Sequence, residues 1–314
     1  MIRVASRVFA IRRPPRASPP CFLCVQRSSR LRLEDAVDTS ARGLTAGDAV
    51  RVVVVDATEV SQQTAEVHGL GVGAAQLAGE LNVAALLMGG HIKGEERITL
   101  QVQTLAPQSS AFAEVCALGT LRGRVQPPDL DPREDHTGVL LAIKANDVKE
   151  LYRGATELRK ESLQSALSQH LISSAQVQGA VVIDVRVNDE GIERAAGMLL
   201  ERLPVGPDRP SMSPEEFAER FSDLTVADLD DALKGTLRGE TLRVLDQLPL
   251  MWMCRCSREK VSGMLRTIGP AGLAQMRAED HGAEVTCHFC GDVYQFDEDD
   301  LSALIAESDV PAEA

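Results

Sequence analysis

Four of the seven cysteines lie in two close pairs towards the C-terminal end of the chain. Cys254 and Cys256 form a C-x-C pair in MWMCRCSREK, and Cys287 and Cys290 form a C-x-x-C pair in VTCHFCGDVYQF. Two close pairs separated by a loop are typical of a site in which four thiolates hold one Zn²⁺ ion in a tetrahedron. Gly291, directly after the second pair, permits the tight turn that such a site needs. The sequence therefore predicts one Zn²⁺ ion bound by these four cysteines.

Other uses of the same cysteines fit the sequence less well. Two structural disulfides would suit a secreted protein, and nothing in the sequence indicates secretion. A redox motif of the thioredoxin type explains the C-x-x-C pair but leaves the C-x-C pair without a role. A zinc deaminase needs an H-x-E motif upstream, which the sequence lacks. A catalytic zinc keeps an open position that four thiolates close, so we expect no enzyme activity and expect His281 and His288 to be loop residues.

The segment 251–314 offers few residues for a hydrophobic core. Modules this small usually need a staple such as a metal ion, and structural zinc contributes about 10–16 kcal/mol of apparent folding free energy. Loss of zinc should therefore unfold the module. Because oxidation of thiolates to disulfides removes the ligands, the site can act as a redox switch. A zinc-ribbon module with a purely structural ion, recruiting a protein partner, remains the alternative. The candidate core residues are Trp252, Leu265, Ile268, Leu273, Tyr294, Phe296, Leu301 and Leu304.

The charge of the chain excludes some classes of partner. The formal net charge is −13, whereas binding of nucleic acid requires clustered lysine and arginine. We expect no continuous apolar run of the roughly 18–20 residues that cross a membrane. The sequence thus predicts a soluble protein that binds neither nucleic acid nor a membrane.

The N-terminal residues 1–33 differ in composition from the rest of the chain. They hold eight arginines and no acidic residue, and the first acidic residue of the chain is Glu34. Arginines set among apolar residues and followed by RRPPRASPP are typical of an organellar transit peptide, not of a folded element. We therefore expect a location in an organellar matrix or stroma, with the mitochondrion favoured over the plastid, or in the cytoplasm if the segment is not a transit peptide. The CFLC pair at 21–24 lies within this segment and is taken as incidental.

The segment 34–210 has the patterns of a mixed domain. Its predicted helices and strands do not alternate regularly, so the class predicted is α+β. β-Branched runs and strict alternation of apolar and polar residues indicate strands, and apolar residues at helical spacing indicate helices. Strands are predicted at 50–56, 97–104, 112–118, 138–145 and 179–187, and helices within 60–88 and at 157–172.

Prolines at 204, 207, 210 and 214 mark a boundary, after which 211–250 is predicted to be a helical linker. Ser213 with Glu216 and Thr225 with Asp228 have the spacing of helix-capping boxes. Over 213–250, apolar residues recur at helical spacing, so they would line one side of each helix, and the nine acidic and four basic residues would give a polar opposite side. The pattern fits a pair of ordinary packed helices, or a marginally stable linker that can detach from the core.

The motif CRCSREKV…CHFCGDVYQFDEDDL resembles the zinc module of the heat shock protein 33 family, a 33 kDa redox-regulated chaperonin. GGHIKGEERITLQV at 89–102, LRGRV at 121–125 and AAGMLLERLP at 195–204 resemble segments of the same family. The resemblance covers roughly 45–314. TLAPQSSAF at 104–112 departs from the glycine-rich turn of the family, and ALSQHLISSAQ at 166–176 lacks its usual tyrosines.

This resemblance implies a holdase that acts without ATP and binds unfolded or partly folded client proteins under stress. It implies that the reduced, zinc-bound form is inactive. On oxidation, disulfides Cys254–Cys256 and Cys287–Cys290 would form, zinc would leave, and the C-terminal module and linker would unfold to expose client-binding surface. A homodimer of the oxidised form is a further expectation. The chain would then comprise a transit peptide (1–33), a core chaperone domain (34–210), a helical linker (211–250) and a zinc-binding redox-switch domain (251–314).

Overall fold

We describe the protein from a computed structural model, which defines residues 2–4, 38–45, 49–106, 108–130, 137–159, 162–173, 178–204 and 212–308. The chain forms two compact units, one within Arg32–Met253 and one that contains Cys254–Ala314 and an N-terminal strand. Both helices and strands are abundant, as an α+β protein requires.

The described residues form sixteen strands and eight helices. The strands are β1 (Ile2–Val4), β2 (Thr39–Leu44), β3 (Val50–Asp56), β4 (Arg97–Ala106), β5 (Gln108–Cys116), β6 (Thr120–Gln126), β7 (Thr137–Ala145), β8 (Glu150–Arg159), β9 (Gly179–Asn188), β10 (Gly191–Arg202), β11 (Thr236–Leu237), β12 (Glu240–Thr241), β13 (Arg243–Pro249), β14 (Met251–Trp252), β15 (Ala283–Cys287) and β16 (Val293–Phe296). The helices are α1 (Thr58–His68), α2 (Val72–Gly89), α3 (Leu163–Ser173), α4 (Pro214–Phe221), α5 (Val226–Leu233), α6 (Arg258–Arg266), α7 (Pro270–Asp280) and α8 (Glu298–Ser308).

Two large sheets and the two-stranded hairpin β11–β12 form the sheet structure of the first unit. One large sheet has the strand order β13-β2-β3-β10-β9 and the other the order β14-β6-β5-β4-β7-β8. Neighbouring strands are antiparallel except β14, which pairs parallel to β6. Helix α2 contacts strands of both sheets, and its alanine and leucine side chains lie in the main hydrophobic cluster together with Val53, Leu100 and Leu140. The core of this unit is therefore centred on α2.

Helix α2 is also the helix in the described part of the chain that is long and apolar enough to cross a membrane. Of its 18 residues, 72% are buried inside the protein. A helix that is apolar all round is buried in a core or in a membrane. Gln76, Glu80 and Asn82 interrupt its apolar residues, so α2 is not the continuous apolar run whose absence the sequence predicts, and its packing between the two large sheets accounts for its apolar composition.

The strand predictions at 50–56, 97–104, 112–118, 138–145 and 179–187 are confirmed as β3, β4, β5, β7 and β9, with shifted ends for most. Helices α1 and α2 account for 60–88. The helix predicted at 157–172 begins only at Leu163, because 157–159 belong to β8. Residues 157–159 pair with the start of β7 in a hairpin, which extends the strand beyond the point where helical spacing of apolar residues begins.

The predicted linker is helical only in its first half. Both capping boxes are present: Ser213 Oγ accepts from the N–H of Glu216, and Thr225 Oγ1 accepts from the N–H of Asp228. The prediction of helix up to 250 is wrong from Thr236 onward. There the chain forms the hairpin β11–β12 and then β13, which pairs with β2 at the edge of the five-stranded sheet.

The change from helix to strand has a local cause. Gly235 follows α5 with a φ of 86°, which favours glycine and ends the helix. Arg238 (φ 50°) and Gly239 (φ 81°) form the two-residue turn between β11 and β12. Two positive φ angles in succession are the signature of a type I′ hairpin turn. Leu237 therefore does not continue a helical apolar stripe.

Helices α4 and α5 cover one face of the five-stranded sheet. Their buried side chains, Phe217, Phe221 and Leu229, belong to one hydrophobic cluster with Val54 of β3 and Met198 of β10. Alternate residues of β3 point to the other face, towards α2. The linker helices thus bury an apolar sheet surface that would otherwise be exposed.

The second unit is small. Strand β15 pairs with β16 and, on its other side, with β1. The expectation that 1–33 holds no folded element is wrong for residues 2–4, whereas Cys21 and Cys24 lie outside the described residues. Of the predicted core residues, Trp252 packs in the first unit instead and Ile268 is exposed. The buried cluster consists of Val261, Leu265, Leu273, Val285, Phe296, Leu301 and Leu304, with Tyr294 packed against it.

A buried carboxylate lies where the end of the linker meets the core. The Asp38 carboxylate accepts hydrogen bonds from the N–H groups of Glu59 (3.1 Å) and Val60 (2.7 Å) at the start of α1. Its main-chain carbonyl accepts from the N–H of Leu250, directly after β13. Burial raises the pKa of Asp38 to about 6, against the opposing effect of the two hydrogen bonds.

The raised pKa of Asp38 predicts a pH dependence of stability. The folded state binds the Asp38 proton more tightly than the unfolded state does. The contribution of this proton to the free energy of unfolding is therefore full below the ordinary pKa of 3.8, and it is lost as the pH rises through about 6. We expect Asp38→Asn to remove roughly 3 kcal/mol of pH-dependent change in unfolding free energy over this window. Urea unfolding at several pH values measures this change, with the exposed Glu95→Gln as control. The prediction would be contradicted if the free energy of unfolding depended on pH equally in wild type and in Asp38→Asn.

Candidate metal centre

The fold brings the four predicted ligands together. Cys254 and Cys256 lie between β14 and α6, Cys287 ends β15, and Cys290 lies in the turn before β16. The Sγ atoms of the four residues all lie within 4.8 Å of one another. The distance is 3.7 Å between Cys254 and Cys287 and 3.2 Å between Cys256 and Cys290.

These distances fit a metal ion. Four sulphurs at the corners of a tetrahedron around Zn²⁺, with bonds of about 2.3 Å, lie about 3.8 Å apart. A disulfide requires about 2.05 Å, and all four cysteines are free thiols. The donor set, four soft sulphur atoms within 4.8 Å of one another, is the one that structural zinc sites use.

Local hydrogen bonds shape the two cysteine loops. The N–H of Gly291 donates to the carbonyl of Cys287 (2.9 Å), and the N–H of Cys287 donates to the carbonyl of Asp292 (2.8 Å). Gly291 has a φ of 73°, which confirms the predicted need for glycine in this tight turn. On the other side, Ser257 caps α6 by accepting from the N–H of Lys260, so the helix begins directly after Cys256.

Each sulphur also accepts a hydrogen bond from a group that is not a cysteine thiol. For three of them the donor is the main-chain N–H two residues further along the chain. The N–H of Cys256 donates to the sulphur of Cys254, that of Phe289 to the sulphur of Cys287, and that of Asp292 to the sulphur of Cys290. For Cys256 the donor is a side chain, the hydroxyl of Tyr294, at 3.1 Å. Such donors orient ligands and stabilise the negative charge on sulphur.

The four thiols influence one another strongly. Hydrogen bonding from the Cys256 thiol lowers the pKa of Cys254 to about 7. The pKa of Cys287 lies well below its usual range, mainly because of the Cys254 thiol. Hydrogen bonds to Cys254 raise the pKa values of Cys256 and Cys290. A divalent ion is the group that would keep all four sulphurs as thiolates.

The nearby histidines lie outside the cluster. Nδ1 of His281 is 2.8 Å from Oε1 of Glu298, and the side chain is exposed. His288 is not among the clustered ligand atoms. The sequence does not indicate the contact between Tyr294 and Cys256, since it predicts Tyr294 only as a core residue; the available signal is its position four residues after Cys290, on the strand that follows the turn.

A family model described as Hsp33 protein matches residues 38–297. The chain belongs to the Hsp33 family. The matched residues include both large sheets of the first unit and all four clustered cysteines.

Proteins with the name 33 kDa chaperonin are similar over most of their length. The one from Syntrophotalea carbinolica is 30% identical over 286 aligned residues, covering 86% of this chain and 99% of the relative. One from Thermus thermophilus is 31% identical over 297 aligned residues, covering 86% of this chain and 87% of the relative.

A crystal structure of the 33 kDa chaperonin (heat shock protein 33 homolog) from Thermotoga maritima has a similar fold. The TM-score is 0.68 at 22% sequence identity, and the match covers 86% of this chain and 98% of the other. The fold expected from the sequence resemblance is thereby confirmed.

Proposed function

We propose that this member of the Hsp33 family is a redox-regulated chaperone that holds unfolding client proteins without ATP. Membership of a family whose relatives are named chaperonins, together with the four-cysteine cluster, supports a chaperone. The observation that carries the regulatory part is the clustering of four free thiols within 4.8 Å of one another in a module with a small core.

In the reduced protein, Cys254, Cys256, Cys287 and Cys290 would hold one Zn²⁺ ion. The ion would supply a neutralising charge and four bonds that join the α6 side of the module to the β15–β16 hairpin. The hydrophobic cluster of this unit has seven buried residues, which is little for independent stability. Zinc binding would therefore contribute much of the folding free energy of the module.

Oxidation by peroxide would dismantle the site in two chemical steps. A thiolate attacks one peroxide oxygen, forming an S–O bond and breaking the O–O bond, and hydroxide leaves. A second thiolate then attacks the resulting sulfenic sulphur, forming the S–S bond and releasing a second hydroxide. Two peroxides would convert the four thiolates to two disulfides, which we assign from the family resemblance as Cys254–Cys256 and Cys287–Cys290. Neither disulfide retains a thiolate to hold the metal.

The linker would transmit the loss of the module to the core. Strands β13 and β14 lead directly into Cys254, and Asp38 accepts from Leu250 between them. Once the chain beyond Met253 unfolds, the C-terminal end of the linker would be held only by its pairing with the core, β13 with β2 and β14 with β6. Detachment of α4 and α5 would then uncover the apolar sheet face that includes Val54 and Met198, which we propose as client-binding surface.

The proposal is tested by following zinc and chaperone activity together. We expect the reduced full-length protein to contain one zinc ion per chain and to give no protection against aggregation of an unfolding client. After peroxide, zinc should be released as protection appears. Zinc that stays bound in peroxide would favour the purely structural zinc-ribbon module, and zinc release without protection would contradict activation through this site.

Two further parts of the proposal concern location and assembly. Residues 1–33 would direct the protein to an organelle, the mitochondrial matrix being favoured, which a fluorescent fusion of these residues tests. The oxidised form would assemble as a homodimer, which sedimentation before and after oxidation tests.

A further inference from the structure

One contact to the cysteine cluster comes from a tyrosine side chain. Tyr294 lies on β16, and its hydroxyl donates a hydrogen bond to Sγ of Cys256 at 3.1 Å. The residues are 38 positions apart in the sequence, so the contact joins the C-x-C loop to the β15–β16 hairpin. Its ring is half-buried and packs against the hydrophobic cluster of the module.

The packing restricts where the hydroxyl can point. Strand β16 is held in register with β15, where Tyr294 lies opposite Val285. The ring is thus fixed by the hairpin and by the cluster, while the hydroxyl reaches the sulphur. A phenol is a neutral donor under ordinary conditions because its usual pKa is about 10.

We infer that Tyr294 is a positioning residue for Cys256 and controls how readily the cluster releases its metal. The inference rests on the proposed function, because it assigns a regulator to the same zinc site. The hydroxyl holds Cys256 in the orientation of a ligand and withdraws electron density from its sulphur. The orientation favours the metal-bound state, and the withdrawal of electron density slows oxidation.

The hydrogen bond from Tyr294 should slow oxidation of the Cys256 sulphur. A thiolate that accepts a hydrogen bond carries less available charge and is a weaker nucleophile. The first oxidation step needs a sulphur lone pair to attack peroxide oxygen, so the Tyr294 hydroxyl slows that step at Cys256. Removing the hydroxyl leaves the bond-making and bond-breaking steps unchanged and makes the attack faster.

The test uses full-length Tyr294→Phe, which removes the hydroxyl and keeps the ring. Tyr152→Phe is the matched control, because Tyr152 is the other of the two tyrosines and its hydroxyl contacts His170 in the first unit. In reducing buffer, zinc affinity is measured by competition with a chelator. We expect about a tenfold loss for Tyr294→Phe, the lower end of the effect of residues that orient metal ligands, and no change for Tyr152→Phe.

Two further measurements separate a role at the sulphur from a role in packing. In the Co²⁺-substituted protein, the sulphur-to-cobalt charge-transfer band should move to lower energy in Tyr294→Phe, because the sulphur becomes richer in electrons. Peroxide should also release zinc several-fold faster from this variant. A wild-type band position together with wild-type affinity would overturn the inference.

These results are distinguishable from failure of the proposed function. The chelator competition and the cobalt spectrum are made in reductant and do not depend on a redox switch. If wild-type protein keeps its zinc in peroxide, the proposed function fails even when Tyr294→Phe binds zinc more weakly. If wild-type protein releases zinc and gains activity while Tyr294→Phe equals it in all three measurements, only the inference fails.

Discussion

Cys287→Ser is expected to unfold the C-terminal module in reducing buffer and to activate the chaperone without an oxidant. Cys287 is the one buried cysteine of the cluster and ends β15, the central strand of its sheet. Serine offers no thiolate, so the site loses a ligand. Structural zinc contributes about 10–16 kcal/mol, comparable with the whole stability of a typical domain, and a module with a small core cannot replace it.

The measurements follow from the proposed path of unfolding. Zinc content should fall from one ion per chain towards none, and trypsin should cleave the linker at Lys234, Arg238 or Arg243 even in reductant. Protection of an unfolding client should appear in the same buffer. Cys116→Ser is the control, because Cys116 ends β5 in the first unit, outside the cluster. An unchanged digestion pattern in Cys287→Ser would contradict coupling between the module and the linker.

Phe221→Ala is expected to detach the linker helices while zinc stays bound. Phe221 is 1% exposed, and its ring centroid lies 5.3 Å from that of Phe217. Replacing a fully buried phenylalanine by alanine costs about 3–5 kcal/mol. Helices of eight residues have little stability of their own and depend on such packing. The loss should therefore open α4 and α5 before it unfolds the rest of the core.

Hydrogen exchange measures this opening directly. In reduced protein, the amides of 213–233 should exchange faster in Phe221→Ala, with one zinc ion retained and with client protection present. Leu245→Ala is the matched control, because Leu245 lies in β13 of the same linker but is 56% exposed. Faster exchange without client protection would show that the surface under the linker helices is not the one that clients bind.

The cysteine cluster is the part of the protein that the sequence determines most completely. Two close pairs of cysteines have few uses in a chain without signs of secretion, and their chemistry predicts a four-thiolate metal site, for which the structure brings the four sulphurs within 4.8 Å of one another. The capping boxes at Ser213 and Thr225 were also predictable, because a cap joins residues three positions apart. Zinc itself, the disulfide pairs and the location stay predictions.

Elements whose partners are distant in the chain depended on the tertiary structure. The sequence of β13 reads RVLDQLP, with its apolar residues Val244 and Leu245 exposed and its register interrupted between Val244 and Asp246. Strand β13 lies at the edge of its sheet and pairs with β2, roughly two hundred residues earlier in the chain. Its residues carry no strict alternation of apolar and polar side chains. Helical spacing was therefore the stronger local signal, and it was wrong.

Tyr294 shows, for a single residue, the same difference between what the sequence predicts and what the tertiary structure decides. Its aromatic side chain, near the last cysteine, was correctly taken as part of the hydrophobic cluster. The direction of its hydroxyl follows from the register of β16 against β15 and from the loop that places Cys256 beside it. Residue type and spacing determined which atoms can bind a metal, because those are local chemical properties. Only the tertiary structure decided which side chains surround these atoms, because that depends on contacts between distant parts of the chain.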